Sequence, residues 1–471
     1  MSTAVNVGSG DEIIRDYGDK VVAIEPGGVE FIPLNERHGS PLQLVWTWAS
    51  PNMEFATIGV GILGVLFWGL TFWQCVLAIV VGTALGAVTH GILSTWGPKS
   101  GLCQMVLSRS GFGFLGNILP AGINALAAGI GWFAVNSISG ALALNSLVSG
   151  LPKSLCLIIV VVAQLAIAFL GHNLVHAFER YAFPVLAVIF VVSSVIVLSK
   201  SHPGAAAIPD PFQPPIGGFL LMVGAAFGYA CGWNPYASDY TRYLPPRTKA
   251  LPVALCAGLG LFVSCVLLEI AGAAAVTAGG SDVAPSAFTE QLPTFLAKLT
   301  LLAICLGAIA ANALNVYSGA MSFMAMGVRL PTRLARATVA LALGPIGLVV
   351  ALFGLDNAGR NYENFLLVIS YWIAPWLGVV LTDRWLRRGE DSLSRYTRNS
   401  VNWAGPVAML LGMVISIWLF ANQVKYTGLV PKAHPSVGDI TFEVGFVIAA
   451  VVYAVLYRAL GSQREPAVVS T

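Results

Sequence analysis

Apolar residues run along this chain in roughly twelve stretches of about twenty residues each, the length that crosses the hydrocarbon core of a bilayer as an α-helix. They begin near Leu42, Leu70, Phe114, Leu155, Tyr181, Gly217, Leu251, Thr294, Ala337, Phe365, Trp403 and Phe442. The pattern predicts an all-α polytopic membrane protein. Two of the runs are interrupted, by Trp48-Ala49-Ser50-Pro51-Asn52 and by Trp233-Asn234-Pro235-Tyr236. Proline removes a backbone donor and clashes with the preceding turn, so each stretch predicts a broken helix. Broken backbone at membrane depth survives only where it lines a cavity. The two breaks hold similar places in two successive groups of segments, which predicts a five-plus-five inverted repeat with one binding site near the midplane.

On that reading residues 1–41 form an N-terminal tail and 42–200 the first five-helix repeat. Residues 201–216 form an external linker rich in Pro, Ala and Gly, and 217–384 the second repeat. Residues 385–471 supply a loop, two accessory helices and a C-terminal tail.

Composition agrees: of 471 residues 56% are hydrophobic and 10% charged, with a mean hydropathy of +0.78, far from the usual composition of soluble domains. The net charge of +3 matters less than where the basic residues fall. With a cytoplasmic amino terminus, inner segments carry 19 of the 25 Lys and Arg and outer segments 6. The positive-inside rule then predicts a multi-pass protein of the plasma (cytoplasmic) membrane with both termini in the cytoplasm. The first forty residues are acidic, from Asp11 and Glu12 to Glu25 and Glu30, and show no signal-peptide pattern. Seven cysteines lie scattered without CxxC spacing and read as small packing residues. His172 and His176 stand four apart beside Glu179, but spacing fixes no third ligand, so no metal site is assigned.

Polar and aromatic residues inside the spans are the candidates for chemistry, because a buried amide in hydrocarbon is costly unless paired or wet. Trp132 and Asn136 stand four apart and share a helix face. Asn312 and Asn315 interrupt the apolar eighth run, together with Tyr317 and Ser318. Ser50, Asn52, Trp233, Asn234 and Tyr236 come from the breaks. The set offers flat aromatic faces, amide donors and acceptors, and no obligatory fixed charge, which fits a planar, neutral, hydrogen-bonding heterocycle. Stacking contributes about 1–3 kcal/mol per base and a net hydrogen bond about 0.5–1.5 kcal/mol. Two stacks and three bonds then reach roughly the −8 kcal/mol of micromolar binding after ordering costs.

The stretch from Gly228-Tyr229-Ala230-Cys231-Gly232-Trp233 through Tyr236-Ala237-Ser238-Asp239-Tyr240-Thr241-Arg242-Tyr243-Leu244-Pro245 resembles the sixth-helix signature of the purine-cytosine permease branch of the nucleobase:cation symporter family. Gly131-Trp132 with Asn136, Asn312 with Asn315-Val316-Tyr317-Ser318, and the loop Arg109-Ser110-Gly111-Phe112-Gly113 resemble the same pattern, in order, across nearly the whole chain. The resemblance implies the leucine-transporter-like fold and uptake of a nucleobase, cytosine or a purine, with a cation. It implies stacking by Trp132 and Trp233, bonding of the base edge by Asn136 and Asn315, and a contribution from Ser50. Carriers of hydantoins, allantoin or vitamins resemble this pattern too. The partners expected are a small heterocycle and membrane lipid, with no nucleic acid and no cofactor beyond the coupling ion.

For that ion the resemblance points to Na+ or H+. In sodium-coupled relatives hydroxyls lie about a turn before the key amide of the eighth helix, whereas this chain has Ile309-Ala310-Ala311, which favours a proton. Glu54, just after the first break, is the leading proton-coupling candidate. Asp239 is the second, although Arg242 three residues on suggests an ion pair. No HExxH, GxSxG or P-loop pattern supports a membrane-embedded enzyme, and broken inverted repeats argue for occlusion against an open channel.

Overall fold

A computed structural model describes residues 28–170, 172–208, 213–328, 335–387 and 400–460. The acidic stretch from Asp11 to Glu25, the linker residues Pro209 to Pro211, Arg329 and Arg333, the arginines from Arg388 to Arg398, and the side chains of His172, His176, Glu179 and Arg336 lie outside it. Within it the chain is a bundle of helices. The first span is a bent pair, Gln43–Asn52 and Phe55–Leu66, whose halves differ in direction by 59°. The second to fifth spans are Phe72–Ser94, Ile118–Leu147, Lys153–Leu170 and His172–Lys200. The sixth to tenth are Pro215–Thr241, Ala250–Thr277, Thr294–Ala325, Ala335–Gly354 and Ala358–Leu386. The eleventh and twelfth are Ala404–Phe420 and Thr441–Ala459.

The tenth span starts seven residues before its apolar run at Phe365, because its first turns carry Arg360, Asn361 and Glu363. There Arg360 pairs with Glu363 at 2.8 Å, and the Trp68 indole donates to the same carboxylate at 3.2 Å. Hydropathy under-reads such polar, tied-down turns. Inside the third span, Ala127–Trp132 forms a π-helical turn, one residue wider than the α-helix on either side.

Packing sorts the spans into groups. The second lies against the sixth and seventh, and the second half of the first lies on the seventh. The third, fourth, eighth and ninth form another group. Each member has a groupmate five places away along the chain, the relation that two five-helix repeats produce. The eleventh and twelfth pack on the tenth. Small residues allow this closeness: a Cβ on Gly61 would fall 1.7 Å from the Glu269 carbonyl oxygen, and one on Gly272 would fall 1.9 Å from that of Ile58. The first and seventh spans therefore meet backbone to backbone.

Residues 28–38 cross one end of the bundle. Ile32 N donates to Gly101 O at 3.1 Å, Arg37 Nη1 to Pro98 O at 2.7 Å, and His38 N to Tyr243 O at 2.7 Å. At the same end Arg242 reaches the hydroxyls of Tyr243 and Tyr317 at 3.2 and 3.1 Å and Gly28 O at 3.2 Å. Arg109–Gly113, expected as a loop, is instead the start of a short helix, Arg109–Gly116, kinked at Gly113, and it docks here as well, Arg109 donating to Ala325 O at 2.7 Å. Ser110 donates to Asp383 at 2.6 Å, and Gly113, at φ +70°, lies where a Cβ would strike the backbone of residues 400–402.

Candidate functional site

The first break is a 3₁₀ turn, Ser50–Asn52, in which Pro51 withholds the donor that a continuing helix would need. Glu54 follows in extended backbone, φ −156° and ψ 174°, and its carboxylate caps the resumed helix by accepting Ala56 N at 2.9 Å. The same carboxylate accepts the Ser139 hydroxyl at 3.1 Å, and the Tyr229 hydroxyl stands 3.5 Å away. Thr57 donates to Asn52 O at 2.6 Å and lies 2.6 Å from the Tyr229 oxygen. Glu54 is thus fully buried where the first, third and sixth spans meet.

The second break, Asn234–Tyr236, is also a 3₁₀ turn and carries Pro235. Asn234 donates to Thr89 at 2.7 Å. One bond joins the two breaks: the Trp233 indole N–H donates to Asn52 Oδ1 at 3.0 Å, while Asn52 Nδ2 donates to Trp48 O at 2.6 Å and to Ser264 at 3.2 Å. Trp48 packs edge-on against Trp233, His90 and Tyr240, with centroids 6.0, 4.2 and 5.5 Å apart. Tyr236 meets Trp233 edge-on at 5.8 Å. The Ser50 hydroxyl, in the first break, is buried and makes no hydrogen bond.

Trp132 ends the π-helical turn and presents its indole to Gly232, where a Cβ would fall 2.9 Å from the ring. Tyr229 and Phe365 hold it edge-on at 5.5 and 4.9 Å. Both indoles therefore flank the sixth-span break. One turn along the third span, Asn136 Nδ2 donates to Asn312 Oδ1 at 3.1 Å, and Asn315 Nδ2 donates to the same oxygen at 3.3 Å. These three amides are buried. A cavity of about 360 Å³ is lined among others by Gly131, Ile138, Ser139, Tyr362 and Phe365, and none of Ser50, Trp132, Asn136, Trp233, Asn312 and Asn315 is part of its wall. Phe365 thus faces the cavity and also touches Trp132, and Ser139 carries the cavity wall to Glu54.

Asp239 lies elsewhere, toward the end crossed by residues 28–38. Its Oδ1 accepts Gln104 N at 2.8 Å, and Ser238 donates to the Gln104 side chain at 2.9 Å. Ser139, Thr57, Gln164 and Ser137 escaped the sequence reading because a hydroxyl or amide on an apolar helix carries no spacing signal. Tyr229 stood inside the quoted sixth-helix stretch, one turn before Trp233. Among the described residues no group of three or more His, Cys, Asp or Glu is placed to hold a metal ion.

Comparison with known proteins bears on this arrangement. A family model described as a permease for cytosine/purines, uracil, thiamine and allantoin matches residues 31–445. The protein YxlA of Bacillus subtilis is 29% identical over 450 residues, covering 92% of this chain and 96% of its own. The purine-cytosine permease fcyB of Emericella nidulans is 28% identical, covering 93% of this chain and 91% of its own. Among solved structures, the nucleobase-cation-symport-1 family transporter Mhp1, closed with bromovinylhydantoin bound, superposes with a TM-score of 0.73 at 18% identity, covering 93% of this chain and 95% of that one. Its inward-facing form gives 0.72. The fold is therefore that of an inverted-repeat transporter, and the protein is a permease, not an enzyme. With the match running through both breaks and the eighth-span amides, the chain belongs to the family of permeases for cytosine/purines, uracil, thiamine and allantoin.

Proposed function

We infer that this permease imports a nucleobase, cytosine or a purine, by symport with a cation, alternating access around the two breaks. The observation that carries this reading is the bond from the Trp233 indole to Asn52, which ties both breaks together beside Trp132 and the amides of Asn136 and Asn315. Trp132 and Trp233 stack on the base, Asn136 and Asn315 bond its edge, and Ser50 offers its unpartnered hydroxyl. Asn52, Asn234, Tyr236 and Asn312 support them. The hydantoin named with Mhp1 is a planar, neutral heterocycle of the same hydrogen-bonding kind, which supports the ligand class.

The coupling ion is a proton, carried by Glu54. Its carboxylate touches three spans at the first break, while Ile309-Ala310-Ala311 offers no hydroxyl for sodium. Asp239 is the second candidate. The distribution of Lys and Arg supports a plasma-membrane orientation with both termini in the cytoplasm.

Radiolabelled uptake tests the reading. Cytosine, adenine, guanine or hypoxanthine should accumulate or compete, and Trp233→Ala and Asn315→Ala should abolish uptake with normal insertion. If none of the four bases accumulates or competes, the substrate assignment is wrong. Dissipating the proton gradient should stop accumulation, whereas replacing sodium should not.

A further inference from the structure

The amide cluster has a fixed sense of donors and acceptors. The chain starts at Gln164 of the fourth span, whose Nε2 donates to Ala308 O at 3.3 Å, a carbonyl that can only accept. Gln164 Oε1 therefore faces the other way, 2.9 Å from the Ser137 oxygen, whose single proton is shared between it and Phe133 O at 2.6 Å. Asn312 Nδ2 donates to Ser137 Oγ at 3.1 Å and to Phe133 O at 2.8 Å. The second contact is again with an obligate acceptor, so Asn312 cannot turn over. Its Oδ1 consequently points at Asn136 and Asn315 and receives the N–H of each. Were either amide to flip, two carbonyl oxygens would meet at hydrogen-bond distance with no proton between them. Both therefore keep their nitrogens on Asn312 and leave their oxygens free of it. Asn136 Oδ1 is buried with no hydrogen bond, in a residue only 2% exposed, and buried acceptors of this kind await a donor. Asn315 makes no other side-chain hydrogen bond among the described residues.

We propose that Asn312 is a positioning residue that locks Asn136 and Asn315 with their carbonyl oxygens toward the ligand, making this part of the site selective for an exocyclic amino group. An amino group on a heterocycle has two N–H bonds that diverge from one nitrogen, so it satisfies two neighbouring acceptors at once. An oxo group in the same place sets oxygen against oxygen and leaves both acceptors unpaired, the situation that produces strong rejection. Asn312 acts through its two neighbours, and Ser137 and Gln164 act through Asn312. The inference rests on the nucleobase reading above and deepens it.

The test is a matched probe pair, cytosine and uracil, which share a ring and differ in amino against oxo at the 4-position and in the protonation of N3. Affinities are measured by thermal shift and competition on the purified full-length carrier. The wild type should prefer cytosine at least about tenfold. Asn312→Leu, which keeps the branched outline of the side chain and removes the lock, should shrink that ratio at least about fivefold by admitting uracil, since both amides then turn freely. Ser137→Ala, one link further from the ligand, should shrink it in the same direction and serves if Asn312→Leu does not insert. A merely structural role would weaken both probes in parallel. An unchanged ratio in the inserted variant, or equal binding of the pair by the wild type, overturns the lock. A wild type that binds neither probe overturns the lock, and the nucleobase reading falls with it only if adenine, guanine and hypoxanthine also fail to bind.

Discussion

The eighth span touches the first break through Gly307. A Cβ there would stand 2.0 Å from the Met53 carbonyl oxygen and 2.8 Å from the Glu54 Cβ, whereas ordinary contact begins at 3.4 Å. Gly307→Ala therefore demands that the backbone of Met53 retreat by more than an ångström. Met53 cannot do so alone, because its N–H is held by Ser50 O at 2.9 Å and the next residue caps the resumed helix. The break moves as a unit, carrying Ser50 and Glu54 with it. Overpacking of this kind costs about 1–3 kcal/mol, and misplacing site groups by about 1 Å costs about 10²-fold in turnover. The assay pairs labelled uptake in cells with thermal unfolding of the purified carrier. The control is Gly150→Ala, at a position where an added Cβ meets nothing within 4 Å. Gly307→Ala should insert, unfold at lower temperature than the control and lose most uptake. Uptake and unfolding indistinguishable from Gly150→Ala would refute the claim that close backbone contact at Gly307 sets the break.

Trp233→Phe keeps an aromatic face but strands Asn52 Oδ1, so nucleobase affinity should fall by about 1–3 kcal/mol, read by competition binding; unchanged affinity would remove that bond from the site. Glu54→Gln retains an oxygen to cap Ala56 but cannot release a proton, so exchange of labelled for unlabelled base should persist while accumulation driven by a pH gradient disappears. Asp439, in the connection before the twelfth span, is pushed above the usual carboxylate range by burial, although the Tyr371 hydroxyl and the amides of Thr441 and Asn422 pull it back. The folded protein then binds this proton more tightly than the unfolded chain. Its stabilising contribution is complete below the ordinary value of 3.8 and is lost as pH rises through the raised one. Thermal unfolding across that window should decline less steeply for Asp439→Asn than for the wild type, and parallel curves would exclude Asp439 as the cause.

The breaks were legible because proline leaves an unambiguous mark in an apolar run, and Pro51 and Pro235 both sit in 3₁₀ turns. Helix number followed from hydropathy, but helix starts did not where polar residues pair locally, as Arg360 and Glu363 do. Among the candidate residues, Trp233 and Asn52 bond each other, and Asn136 and Asn315 share the oxygen of Asn312. Sequence spacing linked Asn312 to Asn315 and Trp132 to Asn136, yet the bond across helices from Asn136 to Asn312 spans 176 positions, which no periodicity records. Asp239 was expected to face Arg242. The structure adds the Gln104 amide to that carboxylate and sends the arginine to two tyrosines and the Gly28 carbonyl, because segments distant in sequence close over this end of the sixth span.

The wide turn at Ala127–Trp132 decides which way half of the third span looks. Asn124 donates to Ser322 at 2.7 Å and Asn136 to Asn312, so both serve the eighth span although twelve positions separate them. In an uninterrupted α-helix, at about 100° per residue, they would stand about 120° out of phase. Absorbing one extra residue brings the offset to about 20°, and a single partner helix can meet both. Excising one residue from this turn would leave eleven ordinary helical steps between the two amides and keep Asn136 on its partner, whereas winding the turn to ordinary pitch with every residue retained would swing everything beyond it by about 100°.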